Sequence, residues 1–149
     1  MSKRTKKHNT EITKAMLEEW GIQSVTWDDS LDNWRIERLW NKNKSKKKVL
    51  SIVKIGTAVC KHQYAQDKTY PIVSFSAHGN PQCFPLSRFI YAWFNGEVPE
   101  GMVVDHIDNN PFNNRIENLQ ILTPEDNLKK RFIDNPNNCK NQIQYIHRK

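Results

Sequence analysis

The fold is decided by VVDHIDNNPFNNRIENLQILTPEDN, residues 103–127. Residues 102–104 form a short apolar run that predicts a buried strand, residues 119–122 predict a second, and a polar loop separates them. The next four residues, 123–126, have the pattern of a helix start, with Thr123 as N-cap, Pro124 at the first helical position and an acidic residue three after the cap. The predicted order is therefore strand, loop, strand and helix.

Four polar side chains lie where these predicted elements begin and end. Asp105 and His106 end the first strand, Asn118 precedes the second, and Asn127 falls in the first turn of the helix. We expect these four to converge on one site. Neighbours on a regular strand point to opposite faces, so Asp105 and His106 share that site only if the backbone bends there.

This pattern resembles the HNH nuclease motif, also called the ββα-metal finger, in the form found among phage-encoded and homing endonucleases. Asp105 and His106 match the first element, Asn118 the central Asn, and Asn127 the last metal-binding position. The likeness extends over roughly residues 70–131 and implies an α+β fold with a ββα-metal catalytic core. Ser87 stands where many relatives have His, so no role of that His is carried over.

The chemistry of phosphodiester hydrolysis requires more than one catalytic group. A positioned general base lowers the barrier by about 3 to 5.5 kcal/mol, whereas enzymes lower it by about 8 to 23 kcal/mol. A divalent cation that stabilises the developing charge supplies much of the difference. We expect His106 to be the base, and Asp105 and Asn127, whose oxygens are hard donors, to hold a single Mg²⁺ or Mn²⁺.

The role of Asn118 follows mainly from the resemblance, which implies a catalytic residue that orients either the loop or His106. The other loop amides, Asn109, Asn110, Asn113 and Asn114, are interpreted as turn formers, because Asn tolerates turn geometry and bonds its own backbone.

Composition limits the remaining possibilities. The chain has 149 residues and 37% hydrophobic content, which predicts one compact domain or a small core with appendages. No apolar run approaches the roughly 20 residues of a membrane span, and no signal peptide is apparent, so we expect a cytoplasmic protein, in the host cell if it is phage-encoded. Cys60, Cys83 and Cys139 are too far apart for a zinc knuckle, so no zinc site is expected.

Charge is distributed unevenly along the chain. Residues 1–54 carry 13 Lys/Arg and 7 Asp/Glu, residues 55–128 carry 4 and 8, and residues 129–149 carry 6 and 1. An acidic middle suits a cation and basic ends suit phosphates, so double-stranded DNA is the expected partner. Arg88 is expected to contact a phosphate or to form a structural salt bridge. The predicted DNA contacts are Lys44, Lys46, Lys47, Lys48, Arg88, Arg115, Lys129, Lys130 and Arg131.

We divide the chain into four parts: a DNA-contacting N-terminal region 1–55, a linker 56–69, the HNH core 70–131 and a basic polar tail 132–149. The N-terminal region is predicted to hold a helix over residues 11–20, then either a hairpin over 27–55 or a helix over 31–40. Its tryptophans are expected in the core rather than stacked on bases. A second helix is predicted over residues 88–94, with Ser87 as N-cap and Asn95-Gly96 as its end.

These features predict a metal-dependent endonuclease of phage or mobile-element (homing-type) origin that hydrolyses DNA phosphodiester bonds. The alternative is a non-catalytic DNA-binding regulator or packaging accessory protein that keeps the fold without turnover. An RNase is a third possibility, and cleavage of matched DNA and RNA distinguishes it.

Overall fold

A computed structural model describes residues 11–41, 48–60, 68–77 and 79–134. Within these ranges the chain is α+β and consists mostly of strands. The strands are β1 (Ile12–Thr13), β2 (Ile22–Asp28), β3 (Asn33–Asn41), β4 (Lys48–Ile52), β5 (Ile55–Cys60), β6 (Lys68–Ala77), β7 (Asn80–Pro85), β8 (Glu97–Val98), β9 (Val103–His106) and β10 (Leu119–Leu122). The helices are α1 (Lys14–Glu19), α2 (Leu86–Asn95) and α3 (Pro124–Asp134), and a 3₁₀ turn covers Ile116–Asn118.

The strands pair into four small antiparallel sheets. Two sheets have three strands, in the orders β2-β3-β4 and β5-β6-β7, and two have two strands, β1 with β8 and β9 with β10. Helix α2 lies at the centre of this arrangement and contacts α1 and strands from all four sheets, with Phe94 of α2 packed against Trp34 of β3. Its inward residues Leu86, Phe89 and Ile90 are fully buried, so the hydrophobic core forms around α2.

A buried arginine joins the two three-stranded sheets. Arg38 on β3 is 5% exposed, and its guanidinium donates to the carbonyl oxygens of Trp20 at 2.7 Å and Ser76 at 2.6 Å. It also lies 4.7 Å from the ring centroids of both Trp40 and Phe75. Burial lowers the pKa of Arg38 from its ordinary value, but the two carbonyls and two aromatic faces accommodate its charge.

The N-terminal region contains the predicted hairpin. Strand β3 pairs with β4, with Trp40 opposite Val49, and on its other side with β2. The alternative helix over residues 31–40 is wrong, because Trp34 and Ile36 are buried at a spacing of two that matches a strand. The helix predicted over residues 11–20 is present but shorter than predicted. It is α1, which covers Lys14–Glu19 and has Thr13 as its N-cap.

The expected linker over residues 56–69 is wrong where the structure describes it. Residues 55–60 form β5, which pairs with β6 in a register that sets Ile55 opposite Val73 and Val59 opposite Thr69. The β-branched residues Ile55, Thr57 and Val59 favour a strand, and the partner that stabilises it lies beyond residue 67.

The predicted N-cap of α2 is also wrong. The helix begins at Leu86 with Pro85 in the cap position, and Ser87 is buried inside the first turn. Its predicted end is confirmed, because Gly96 follows Asn95 with a φ of +94° that favours glycine.

Residues 103–134 follow the predicted order of strand, loop, strand and helix. Strands β9 and β10 pair with His106 opposite Leu119 and Asp105 opposite Gln120. Thr123 caps α3 as predicted, since its Oγ1 accepts a hydrogen bond of 3.1 Å from the Asp126 backbone N–H. Among the described residues, none of the three helices combines the length and apolar composition that crossing a membrane requires.

The loop between β9 and β10 is held by two polar side chains. Asn118 is 9% exposed. Its Nδ2 donates to Asp108 Oδ1 at 2.9 Å and to the Asn113 carbonyl at 2.8 Å, and its Oδ1 accepts from the Asp108 backbone N–H at 3.2 Å. The Asp108 carboxylate also accepts from the Asn113 side chain and the Asn110 backbone N–H, both at 2.8 Å. The hydrogen bonds from Asn113, Asn110 and Asn118 lower the pKa of Asp108 from 3.8 to about 2.

We predict that Asp108→Asn lowers the free energy of unfolding by about 1 kcal/mol near neutral pH. The expected change is small because water screens an exposed carboxylate. The pKa of Asp108 is depressed in the folded state, so its contribution is complete above the unfolded pKa and is lost as the pH falls through about 2. Denaturant titrations should therefore show the difference between wild type and variant narrowing from pH 4 to pH 2. A difference that is constant over this range would contradict the assignment.

Candidate active site

His106 is fixed at the end of β9 by one side chain of the loop. Its Nε2 lies 2.7 Å from Asn114 Oδ1. The Asn114 amide nitrogen donates to the Pro111 carbonyl at 3.0 Å, so its oxygen faces His106 and His106 Nε2 is the donor. In the neutral ring the other nitrogen, Nδ1, is then the acceptor. His106 is half-buried, and Asn114 is 3% exposed.

Asp105, the residue before His106, faces α3. Its Oδ2 accepts a hydrogen bond of 2.9 Å from Gln120 on the paired strand and lies 3.1 Å from Lys130 Nζ. The side chains of Lys130 and Asp105 are only 19% and 11% exposed. The ammonium also donates to the His106 carbonyl at 3.0 Å and to Asn109 Oδ1. A largely buried carboxylate is thus already paired with one positive charge.

Asn127 lies on the same side of α3 as Lys130, because residues three apart share a helix face. Its side chain is half-buried and makes no hydrogen bond to another described residue. Its amide oxygen and the Asp105 carboxylate are hard oxygen donors, the kind that Mg²⁺ takes in small number while keeping several waters. The chemistry of these two donors therefore suits a hard divalent cation. Within the described ranges, no group of three or more His, Cys, Asp or Glu side chains is arranged to hold a metal.

The sequence predicts that Asn118 orients either the loop or His106. In the structure these two contacts belong to different residues, Asn118 for the loop and Asn114 for His106. The side chain of Asn118 bonds Asp108 and Asn113, so of the two expected roles it orients the loop. Asn114, interpreted from the sequence as a turn former, is the residue that contacts His106. Asn113 and Asn114 are adjacent and identical in type, and only the path of the loop separates their roles.

Burial corrects the prediction that Arg88 contacts DNA. Arg88 is 7% exposed, and its Nη1 donates to the Met102 carbonyl at 2.9 Å. Burial lowers its pKa from the ordinary value. Arg88 therefore supports the segment that leads into β9. This role is structural, as in the expected alternative of a salt bridge, but the hydrogen bond is to the Met102 carbonyl.

The other basic residues predicted to contact DNA differ in their surroundings. Lys130 is engaged with Asp105 rather than directed to solvent. Arg115 is half exposed, pairs with Asp32 at 3.2 Å and lies 4.8 Å over the Trp27 ring. Lys48, Lys129 and Arg131 are exposed. Lys44, Lys46 and Lys47 lie outside the described residues.

A cleft of about 210 Å³ opens beside His106 and Asn114. It places the imidazole next to space that is open to solvent, with walls from β6, β7, α2, β9 and the loop. The lining residues are Tyr70, Pro71, Pro85, Ser87, Arg88, Val103, Val104, His106, Pro111 and Asn114.

Comparison with known proteins identifies the same segment. A family model described as HNH endonuclease matches residues 85–129. A Bacillus subtilis (strain 168) protein whose name describes an SPbeta prophage-derived HNH homing endonuclease is 41% identical over 46 residues, which are 31% of this chain and 27% of that protein. Protein 3.8 of Escherichia phage T7 is 43% identical over 42 residues, 27% of this chain and 35% of its own length.

A third relative, an HNH endonuclease of Acanthamoeba polyphaga mimivirus named as uncharacterized, is 46% identical over 43 residues, 28% of this chain and 23% of its own length. The chain thus spans about a third or less of each of these three relatives. No solved structure matches it.

The matched segment begins at the last residue of β7 and ends within α3, so it contains α2, both strands of the β9–β10 pair and the loop with His106 and Asn114. This segment therefore resembles the HNH endonuclease family, both in its match to the family model and in its likeness to relatives named HNH endonucleases.

Proposed function

We propose that this protein is a metal-dependent endonuclease that hydrolyses DNA phosphodiester bonds with His106 as general base. The observation that carries the proposal is the hydrogen bond from His106 Nε2 to Asn114 Oδ1. It fixes the ring and its tautomer, so that the lone pair of Nδ1 is available to accept a proton from a water molecule.

The proton transfer uses groups of this chain alone. To act as a base His106 must start from its neutral form, in which the bond to Asn114 Oδ1 places the proton on Nε2. When Nδ1 takes the proton of the attacking water, the ring becomes an imidazolium whose Nε2–H still donates to Asn114 Oδ1. The oxygen of Asn114 therefore stabilises the charged ring without moving, as a preorganised acceptor should.

Asp105 and Asn127 are the residues that would hold the divalent cation. When bound, the cation supplies positive charge that stabilises the phosphate and assists the leaving oxygen. Asp105 faces α3, whereas His106 faces the loop, as alternation on a strand requires. The expected convergence of these two side chains is therefore not present among the described residues, and one phosphate would contact both the base and the metal site only if the end of β9 bends.

Double-stranded DNA is the proposed substrate. The exposed basic residues Lys48, Lys129 and Arg131, with a formal net charge of +7 for the whole chain, favour binding to phosphates. Two relatives carry prophage or phage names, which supports an origin in a phage or mobile element.

We predict that wild-type protein nicks or linearises supercoiled plasmid with Mg²⁺ and not with EDTA, and that His106→Ala lowers the cleavage rate by about 100-fold or more, because the base is lost. Ile107→Ala is the matched control, since Ile107 is the exposed next residue. It should cleave like wild type.

Equal cleavage by His106→Ala and Ile107→Ala would show that His106 is not the base. Salt-sensitive DNA binding without cleavage by the wild type on a wide range of sequences would favour the non-catalytic DNA-binding alternative. Faster cleavage of a matched RNA would redefine the substrate.

The second prediction concerns the cation site. Lys130→Met removes a positive charge 3.1 Å from Asp105 Oδ2, so the variant should bind Mn²⁺ more tightly by about tenfold, as measured by titration calorimetry. Lys129→Met changes charge by the same amount at an exposed neighbouring position and should bind Mn²⁺ like wild type. Equal affinity in both variants, with folding checked by circular dichroism, would refute Asp105 as the metal ligand.

A further inference from the structure

The sheet β2-β3-β4, called the N-terminal sheet below, is connected to the candidate active site by a buried hydrogen bond. Trp34 on β3 donates its indole Nε1–H to the backbone carbonyl of Asn114 at 2.7 Å, across 80 residues of sequence. Trp34 is 7% exposed. Its ring is held by an edge contact with Trp27 at 5.3 Å and by Phe94 of α2 at 5.1 Å.

Asn114 therefore joins two hydrogen bonds, a buried one to Trp34 and a partly buried one to His106. Its carbonyl accepts from Trp34 and its side-chain oxygen accepts from His106, both at 2.7 Å. Because Asn114 is 3% exposed, water does not readily replace either partner, and a shift of its backbone moves the acceptor of His106. The next residue is tied to the same hairpin, since Arg115 pairs with Asp32 and lies over the Trp27 ring.

We propose that Trp34 is a positioning residue for His106, and that it acts through Asn114. This inference rests on the proposed nuclease function. It assigns to the N-terminal sheet, which lies outside the segment matched by the HNH endonuclease family model, a part in arranging the active site. Trp34 touches neither substrate nor metal in this scheme; it sets where the Asn114 side chain holds the imidazole.

The test compares Trp34→Phe with Trp40→Phe in the full chain. Each variant keeps an aromatic ring on β3 and loses one indole N–H, but the Trp40 N–H donates to the side chain of Ser51 at 3.0 Å and not to the loop. For plasmid cleavage, Trp34→Phe should lower kcat by about 10- to 100-fold, the scale of a misplaced catalytic group, with KM within about twofold. Trp40→Phe should leave both within about twofold.

A spectroscopic readout separates the positioning role from the nuclease function. In ¹⁵N spectra, His106 of Trp40→Phe should keep its proton on Nε2, and His106 of Trp34→Phe should show a mixture of tautomers. If the wild type cleaves nothing, the proposed function fails while this readout still decides the positioning role. An unchanged tautomer and unchanged kcat in Trp34→Phe would overturn the inference.

The wild type provides a check in case Trp34→Phe does not fold. The buried Trp34 indole proton should exchange with solvent much more slowly than that of Trp27, whose acceptor is exposed. Equal exchange rates would show that the bond to Asn114 does not persist in solution, and would overturn the inference without any variant.

Discussion

The hydrogen bond between His106 Nε2 and Asn114 Oδ1 is the constraint on which the candidate site depends. A histidine at a strand end has two nitrogens that can carry its proton, and only one arrangement leaves Nδ1 as an acceptor. A buried acceptor oxygen selects that arrangement. The surrounding structure then serves to hold Asn114: its own amide bonds Pro111, its carbonyl bonds Trp34, and Asn118 fixes the loop on the other side.

The other half of the site is governed by charge. Asp105 is largely buried, and an isolated carboxylate there would be costly, so Lys130 and Gln120 compensate it. The same carboxylate is a hard anionic oxygen donor that faces α3, and it is the ligand that we propose for a divalent cation. Lys130 therefore compensates the charge of Asp105 rather than pointing to solvent.

Local sequence patterns predicted the elements that are determined by interactions between residues close in sequence. The apolar runs around the loop and the Thr123 cap act through neighbours in sequence, so β9, β10 and α3 were recognisable. Non-local contacts decided the rest. Residues 55–60 form a strand because β6 pairs with them, Arg88 is buried by the elements around α2, and nothing in the sequence distinguishes Asn114 from Asn113. The contact from Trp34 spans 80 residues, and no spacing rule predicts it.

The most direct test of this account is the single-turnover rate of plasmid cleavage by Asn114→Ala with saturating Mg²⁺. The account predicts a folded protein whose rate falls by about 10- to 100-fold, as expected when the hydrogen-bond partner of a functional imidazole is removed. Asn110→Ala, which changes an exposed Asn of the same loop, should retain the wild-type rate. Cleavage by Asn114→Ala at the wild-type rate would contradict the central claim that Asn114 holds His106 in its active tautomer.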